Sequence, residues 1–123
     1  VRIVTPGIPD KKSVYLLTRS YYAQLIRAGV RIYEYTPGFI HAKMIVADND
    51  VAVVGTINMD FRSFYLHFEC GTVFYRGSVV DKVRSDILET IEKSEEIDAH
   101  WIKSYPWIKS IGASLLSLLI PLM

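Results

Sequence analysis

The stretch from Ser13 to Tyr35 constrains the fold most. Val14, Leu17, Tyr21, Leu25 and Ala28 recur at steps of three and four residues, the stripe of an amphipathic helix. Gly29 is its natural stop. Val30-Arg31-Ile32-Tyr33-Glu34-Tyr35 follows at once, with the β-branched and aromatic content of a strand. Ahead of the helix, the apolar run Val1–Val4 is set off by the turn-forming Thr5-Pro6-Gly7-Ile8-Pro9-Asp10. Strand, helix and strand in that order imply a right-handed parallel crossover. The expected fold class is therefore α/β, a mixed β-sheet flanked by helices.

Further along, Thr36-Pro37-Gly38 leads into a second expected strand, Phe39–Ala47. Asp48-Asn49-Asp50 is a turn, and Val51–Val54 runs to Gly55, which together read as a hairpin. Gly55 itself reads as the place where the backbone turns sharply. Thr72-Val73-Phe74-Tyr75 is another strand. Ser78 with Asp81 marks a helix start whose buried face is Val80, Val83, Ile87 and Ile91. No internal repeat, charge block or low-complexity run divides the chain, so residues 1–100 read as one domain and residues 101–123 as a tail. In the tail Trp101, Tyr105 and Trp107 alternate with Lys103 and Lys109, ahead of the apolar segment Ile111–Met123. A bilayer needs about 20 apolar residues, more than that segment supplies. Its composition suits packing on the domain or on a membrane surface. The chain opens on Val1 without an initiating Met, as if already inside a strand, and is expected to be a piece of a longer protein.

Composition removes several classes. Half of the residues are apolar and 22% are charged, 14 Lys plus Arg against 13 Asp plus Glu, which is the wrong balance for a disordered chain. Cys70 is the single cysteine, so there is no internal disulfide, and no Cys/His spacing resembles a zinc cluster. A net charge of +1 does not indicate a nucleic-acid binder.

The chemistry is concentrated in the hairpin. Side chains two apart on a strand share a face, so His41 and Lys43 are expected to point the same way. An imidazole and an ammonium make a poor core pair because each needs a partner or water, but they suit an anion site. Asn58 lies just past the partner strand, after Gly55-Thr56-Ile57. The pattern His41-x-Lys43, Asp48, Gly55-Thr56-x-Asn58 arises by chance in such a chain less than about once in ten thousand.

This pattern resembles the HKD signature of the phospholipase D superfamily, with Thr56 at a position where the family has Ser or Thr. Gly29-Val30-Arg31-Ile32-Tyr33-Glu34-Tyr35, Gly38-Phe39-Ile40-His41 and Asn58-Met59-Asp60-Phe61-Arg62-Ser63-Phe64 leading to Phe68-Glu69 extend the resemblance. They look most like the second, C-terminal HKD half of bacterial cardiolipin synthases. The resemblance implies a phosphatidyl transfer through a phosphohistidine, without metal or cofactor, in which two phosphatidylglycerol molecules give cardiolipin and glycerol. It implies His41 as nucleophile or general acid/base, with Lys43 and Asn58 holding the phosphate and Thr56 adding a hydroxyl contact. Glu69 matches the acid that orients the histidine. Asp48 belongs to the catalytic signature, although its place in the turn argues for fixing that turn through backbone hydrogen bonds. Arg62 reads equally as a substrate contact or as a tie for the loop after Asn58. The implied partners are phosphatidylglycerol, an N-terminal HKD half or second subunit, and a membrane surface, with no nucleic acid. The implied location of the parent protein is the bacterial cell membrane, this domain lying on an aqueous face.

Two other readings stay open. One is a single-HKD phosphodiesterase or nuclease working as a homodimer, disfavoured by the weak basic excess. The other is an inactive half that completes a site elsewhere. His67 and His100 match no motif position and read as structural. Cys70 reads as a small buried hydrophobe.

Overall fold

In the computed structural model, residues 1–104 are described, apart from the side chains of Ala99 and Lys103. The expected strand, helix and strand open the chain: β1 (Arg2–Pro6), α1 (Lys12–Arg27) and β2 (Arg31–Tyr35), with β1 and β2 parallel. The hairpin follows as β3 (Met44–Ala47) and β4 (Val51–Gly55). Then come α2 (Phe61–Tyr65), β5 (Gly71–Tyr75), α3 (Ser78–Glu92), β6 (Ser94–Ile97) and α4 (Ala99–Ser104). The class is α/β as expected, but the strands form two sheets of three, ordered β1-β2-β6 and β3-β4-β5. The chain correspondingly divides into two compact units, His41–Glu92 and the residues on either side of it.

In the first unit β2 is central, parallel to β1 and antiparallel to β6. Gly29, at φ 84°, ends α1 in the left-handed conformation that glycine adopts without strain. Tyr22, Ile32 and Ile97 form the core, with Leu25, Ile26, Val30 and Trp101 against it. Trp101, the first residue of the expected tail, thus packs on the domain. The expectations for the rest of the tail lie outside the described residues.

The buried face of α1 matches the predicted one only in part, Leu25 packing against the core and Leu17 being half-buried. Val14 and Tyr21 are exposed, whereas Tyr22 is fully buried and Tyr15 and Arg19 are half-buried. The reason is Glu34, an acid in the middle of β2 and itself buried. Arg19 donates to both its carboxylate oxygens, at 2.8 and 2.5 Å. The Tyr22 hydroxyl donates at 2.9 Å and the Tyr15 hydroxyl at 3.4 Å. With its own proton on Glu34, Tyr22 accepts from Thr5 Oγ1 at 2.7 Å. A buried carboxylate needs these donors more than the sheet needs another aliphatic contact, so the helix presents Tyr15, Arg19 and Tyr22 to it. Burial, reinforced by the Glu34 carboxylate, pushes the Tyr22 phenol well above its ordinary range.

The second unit is an antiparallel meander backed by α3, which lies against β3, β4 and β5. Val46, Ala52 and Phe74 face one another across the three strands, with Ala52 and Val80 fully buried. The helix has the predicted start and face, but its entry is made by Gly77, whose carbonyl accepts from Val80 N at 3.0 Å. The adjacent row points the other way and leaves Ile45 and Val73 exposed.

Glu34→Leu is expected to destabilise the protein by about 3 kcal/mol, the low end for breaking a buried pair because a quarter of the Arg19 side chain remains exposed. The urea midpoint should fall at constant slope. An unchanged midpoint would show that the network contributes nothing net.

Candidate active site

An antiparallel meander brings alternate strand ends together. In the unit His41–Glu92, the chain before β3, the chain after β4 and the chain before β5 all lie at one end of the sheet. These segments carry His41 and Lys43, Thr56 and Asn58, and Glu69 respectively. The sheet order thus gathers five of the seven predicted site residues. Asp48 is at the other end. Between Lys43 and Asp48 run roughly 16 Å of extended chain, at about 3.3 Å per residue. Asp48 and Asn49 have φ of 51° and 60°, and Asp50 N donates to Ala47 O at 3.1 Å, so this is a tight hairpin turn.

β4 and β5 touch where Gly55 faces Gly71. A Cβ on Gly55 would stand 2.2 Å from the Cys70 carbonyl oxygen and 2.6 Å from Gly71 Cα. The expected reason for this glycine, a sharp turn, is replaced by close approach of two backbones. Gly55 N still donates to Lys43 O, but the next residue bonds to β5's side of the sheet, Thr56 N donating to Cys70 O at 2.9 Å. The expected strand Phe39–Ala47 is accordingly shortened to Met44–Ala47, because β4 leaves β3 at this point. His41 and Lys43 sit ahead of the ladder, so strand alternation does not orient them. Instead the Lys43 ammonium donates to the His41 carbonyl at 2.8 Å. His41 is exposed and Lys43 half-buried.

Glu69 is the hub of the site. Its Oε2 accepts a short hydrogen bond from Thr56 Oγ1, and its Oε1 accepts from Ser63 Oγ at 2.9 Å. Those two hydroxyls hold the carboxyl below the usual carboxylate range. Thr56 also accepts from Cys70 N at 3.1 Å, so its single O–H is committed to Glu69. Asn58 is fixed by its main chain, which donates to Ser63 Oγ at 3.3 Å. Asp60 caps α2, accepting from Ser63 N at 2.7 Å, and so sets the buried Ser63 between Asn58 and Glu69. Arg62 donates through Nε to His67 Nε2 at 2.6 Å, and His67 Nδ1 stands 3.9 Å from Glu69 Oε1. The imidazole at that distance from the carboxylate is thus His67. Cys70 is exposed, not buried as expected.

Sequence reasoning missed Ser63 and His67. Asp60 three residues before Ser63 is a capping signal that could have located the first. Nothing in the spacing pointed to the second.

The sequence model of the family described as "Cardiolipin synthase, PLD-like domain" matches residues 1–91. The chain belongs to this family. Across all 123 residues it is 43% identical to a cardiolipin synthase of Alkalihalophilus pseudofirmus and 42% identical to one of Halalkalibacterium halodurans, covering 24% of each. An uncharacterized protein of Streptococcus mutans is 42% identical over the same span, which is 26% of its length. This PLD-like domain therefore spans about a quarter of the relatives it matches. No solved structure gives a significant match.

Two predictions follow from the geometry of the PLD-like domain. Gly55→Ala should cost at least about 1–3 kcal/mol because backbone atoms cannot move aside as a side chain can. Gly71→Ala, whose new Cβ meets Ile57 Cδ1 at 3.3 Å, should be much milder. Equal thermal midpoints for the two variants would contradict this. The lowered Glu69 value means that its contribution to stability is present above the ordinary glutamate range of about 4 and is lost as pH falls through the folded-state value. Thr56→Val removes a donor, so a carboxyl-carbon NMR titration should show the Glu69 midpoint rising towards the ordinary value. No rise would mean that the hydroxyl does not hold the charge.

Proposed function

We propose that this chain is one HKD half of a phosphatidyltransferase that joins two phosphatidylglycerol molecules into cardiolipin and glycerol. The observation that carries the reading is the gathering of His41, Lys43, Thr56, Asn58 and Glu69 at one end of a three-stranded sheet, in a member of this family. A neutral imidazole is a competent nucleophile near pH 7 and can form a bond to phosphorus as the alkoxide departs. The departing oxygen needs a proton at that moment, which a second imidazole supplies and later recovers from the acceptor alcohol. His41 takes one of these roles and the histidine of the other HKD half the other. When the acceptor oxygen attacks, the phosphorus–nitrogen bond breaks and the imidazole is regenerated.

Lys43 and Asn58 present N–H donors to the oxygens on which negative charge builds. Glu69 organises this end of the sheet through Thr56 and Ser63, and Asp48 fixes the hairpin rather than touching substrate. A half-site also accounts for the exposed apolar surface of this unit, where Ile45, Phe64, Tyr65, Phe68 and Val73 face solvent. Surfaces of that kind mark contacts with another protein or a membrane. No helix among the described residues is long and apolar enough to cross a membrane. Location of the parent enzyme at the bacterial membrane, with this unit on the aqueous face, belongs to the same proposal.

In the full-length enzyme, His41→Ala should lower conversion of labelled phosphatidylglycerol to cardiolipin by at least about a thousandfold while circular dichroism is unchanged. Retained synthesis would remove His41 from the mechanism. Cleavage of DNA with no reaction on lipid would favour the nuclease reading instead.

A further inference from the structure

The Arg62–His67 contact constrains a proton. A guanidinium is not deprotonated in proteins, so Arg62 Nε is a donor and His67 Nε2, 2.6 Å away, must accept. The ring is then neutral and carries its one proton on Nδ1, the nitrogen that faces Glu69 Oε1 at 3.9 Å. Arg62 projects from α2, His67 follows that helix and Glu69 precedes β5, so the imidazole spans the two sides of the loop. Main-chain bonds hold the ring's own segment, His67 N and Leu66 N both donating to Arg62 O at 2.9 Å. Arg62 and Glu69 face the ring, and Lys43 reaches the same carboxylate electrostatically. A second proton on the ring would set an N–H against the Arg62 N–H and remove the acceptor.

We propose that His67 is a positioning residue: as its Nδ1–H tautomer it aims the Arg62 guanidinium into the site for a phosphodiester oxygen while bracing Glu69. The positioning role rests on the phosphatidyltransferase reading; the tautomer does not. Arg62 then acts in substrate binding, and the effect of His67 passes through it.

Nitrogen-15 NMR of this chain should show the neutral His67 ring protonated on Nδ1, and the Nε2–H tautomer would overturn the proposal whatever the activity. In the full-length enzyme, with phosphatidylglycerol vesicles as substrate, His67→Leu should raise KM about tenfold with kcat little changed. His67→Gln, which keeps an acceptor for Arg62, should restore most of the loss. In an Arg62→Ala background His67→Leu should have no further effect. Additive losses, a fall in kcat alone, or no rescue by glutamine would overturn the positioning role. An unsubstituted enzyme that fails on every phospholipid would overturn the functional reading instead, leaving the tautomer to be decided by the spectrum.

Discussion

The close approach of β4 and β5 at Gly55 and Gly71 is the constraint on which the candidate site depends. Two backbones lie too near for a Cβ on Gly55, and that proximity lets Thr56 bond to Cys70 through both its amide and its hydroxyl. With Thr56 anchored there, its proton meets Glu69 one residue before Cys70. Lys43 comes with it, because its carbonyl accepts the Gly55 amide. A single crowded rung therefore places a carboxylate, a hydroxyl and an ammonium at one sheet end.

The two partly or wholly buried glutamates show how environment separates structure from chemistry. Glu34 is almost sealed from solvent and is met by a guanidinium and two phenols, so its charge is neutralised where it stands. Its network joins α1 to β2. Glu69 is met by two uncharged hydroxyls, with a neutral imidazole and an ammonium further off. Hydroxyls stabilise a carboxylate without cancelling its charge. The result is an anion held in place yet still able to act on neighbouring cations.

Elements governed by local periodicity were legible in the sequence. The crossover, the hairpin and α3 follow from steps of two or of three and four, together with Gly29 and the Asp48-Asn49-Asp50 turn. What the pattern could not show depends on partners distant in the chain. The face of α1 is set by an acid on β2, and β6, Ser-Glu-Glu-Ile, has no apolar alternation and exists by pairing with β2. At the site, the motif residues stood out by type and spacing. Ser63 and His67 did not, because each acts through a hydrogen bond to a residue across a loop and no periodic signal records that.

The signature aspartate is remote from the cluster and yet bears on it through register. Asp48 and Asn49 occupy positive φ, a conformation that Asp and Asn tolerate better than most residues because short polar side chains can bond locally to the backbone. That turn pairs Ala47 with Val51, and every later rung follows, ending with Met44 against Val54 and the Lys43 carbonyl against the Gly55 amide. Slippage of β3 by one residue would send Val46 to the outer face and Ile45 to α3. A motif can thus include a residue remote from its other members, because the turn at one end of a short hairpin decides which side chains meet at the other.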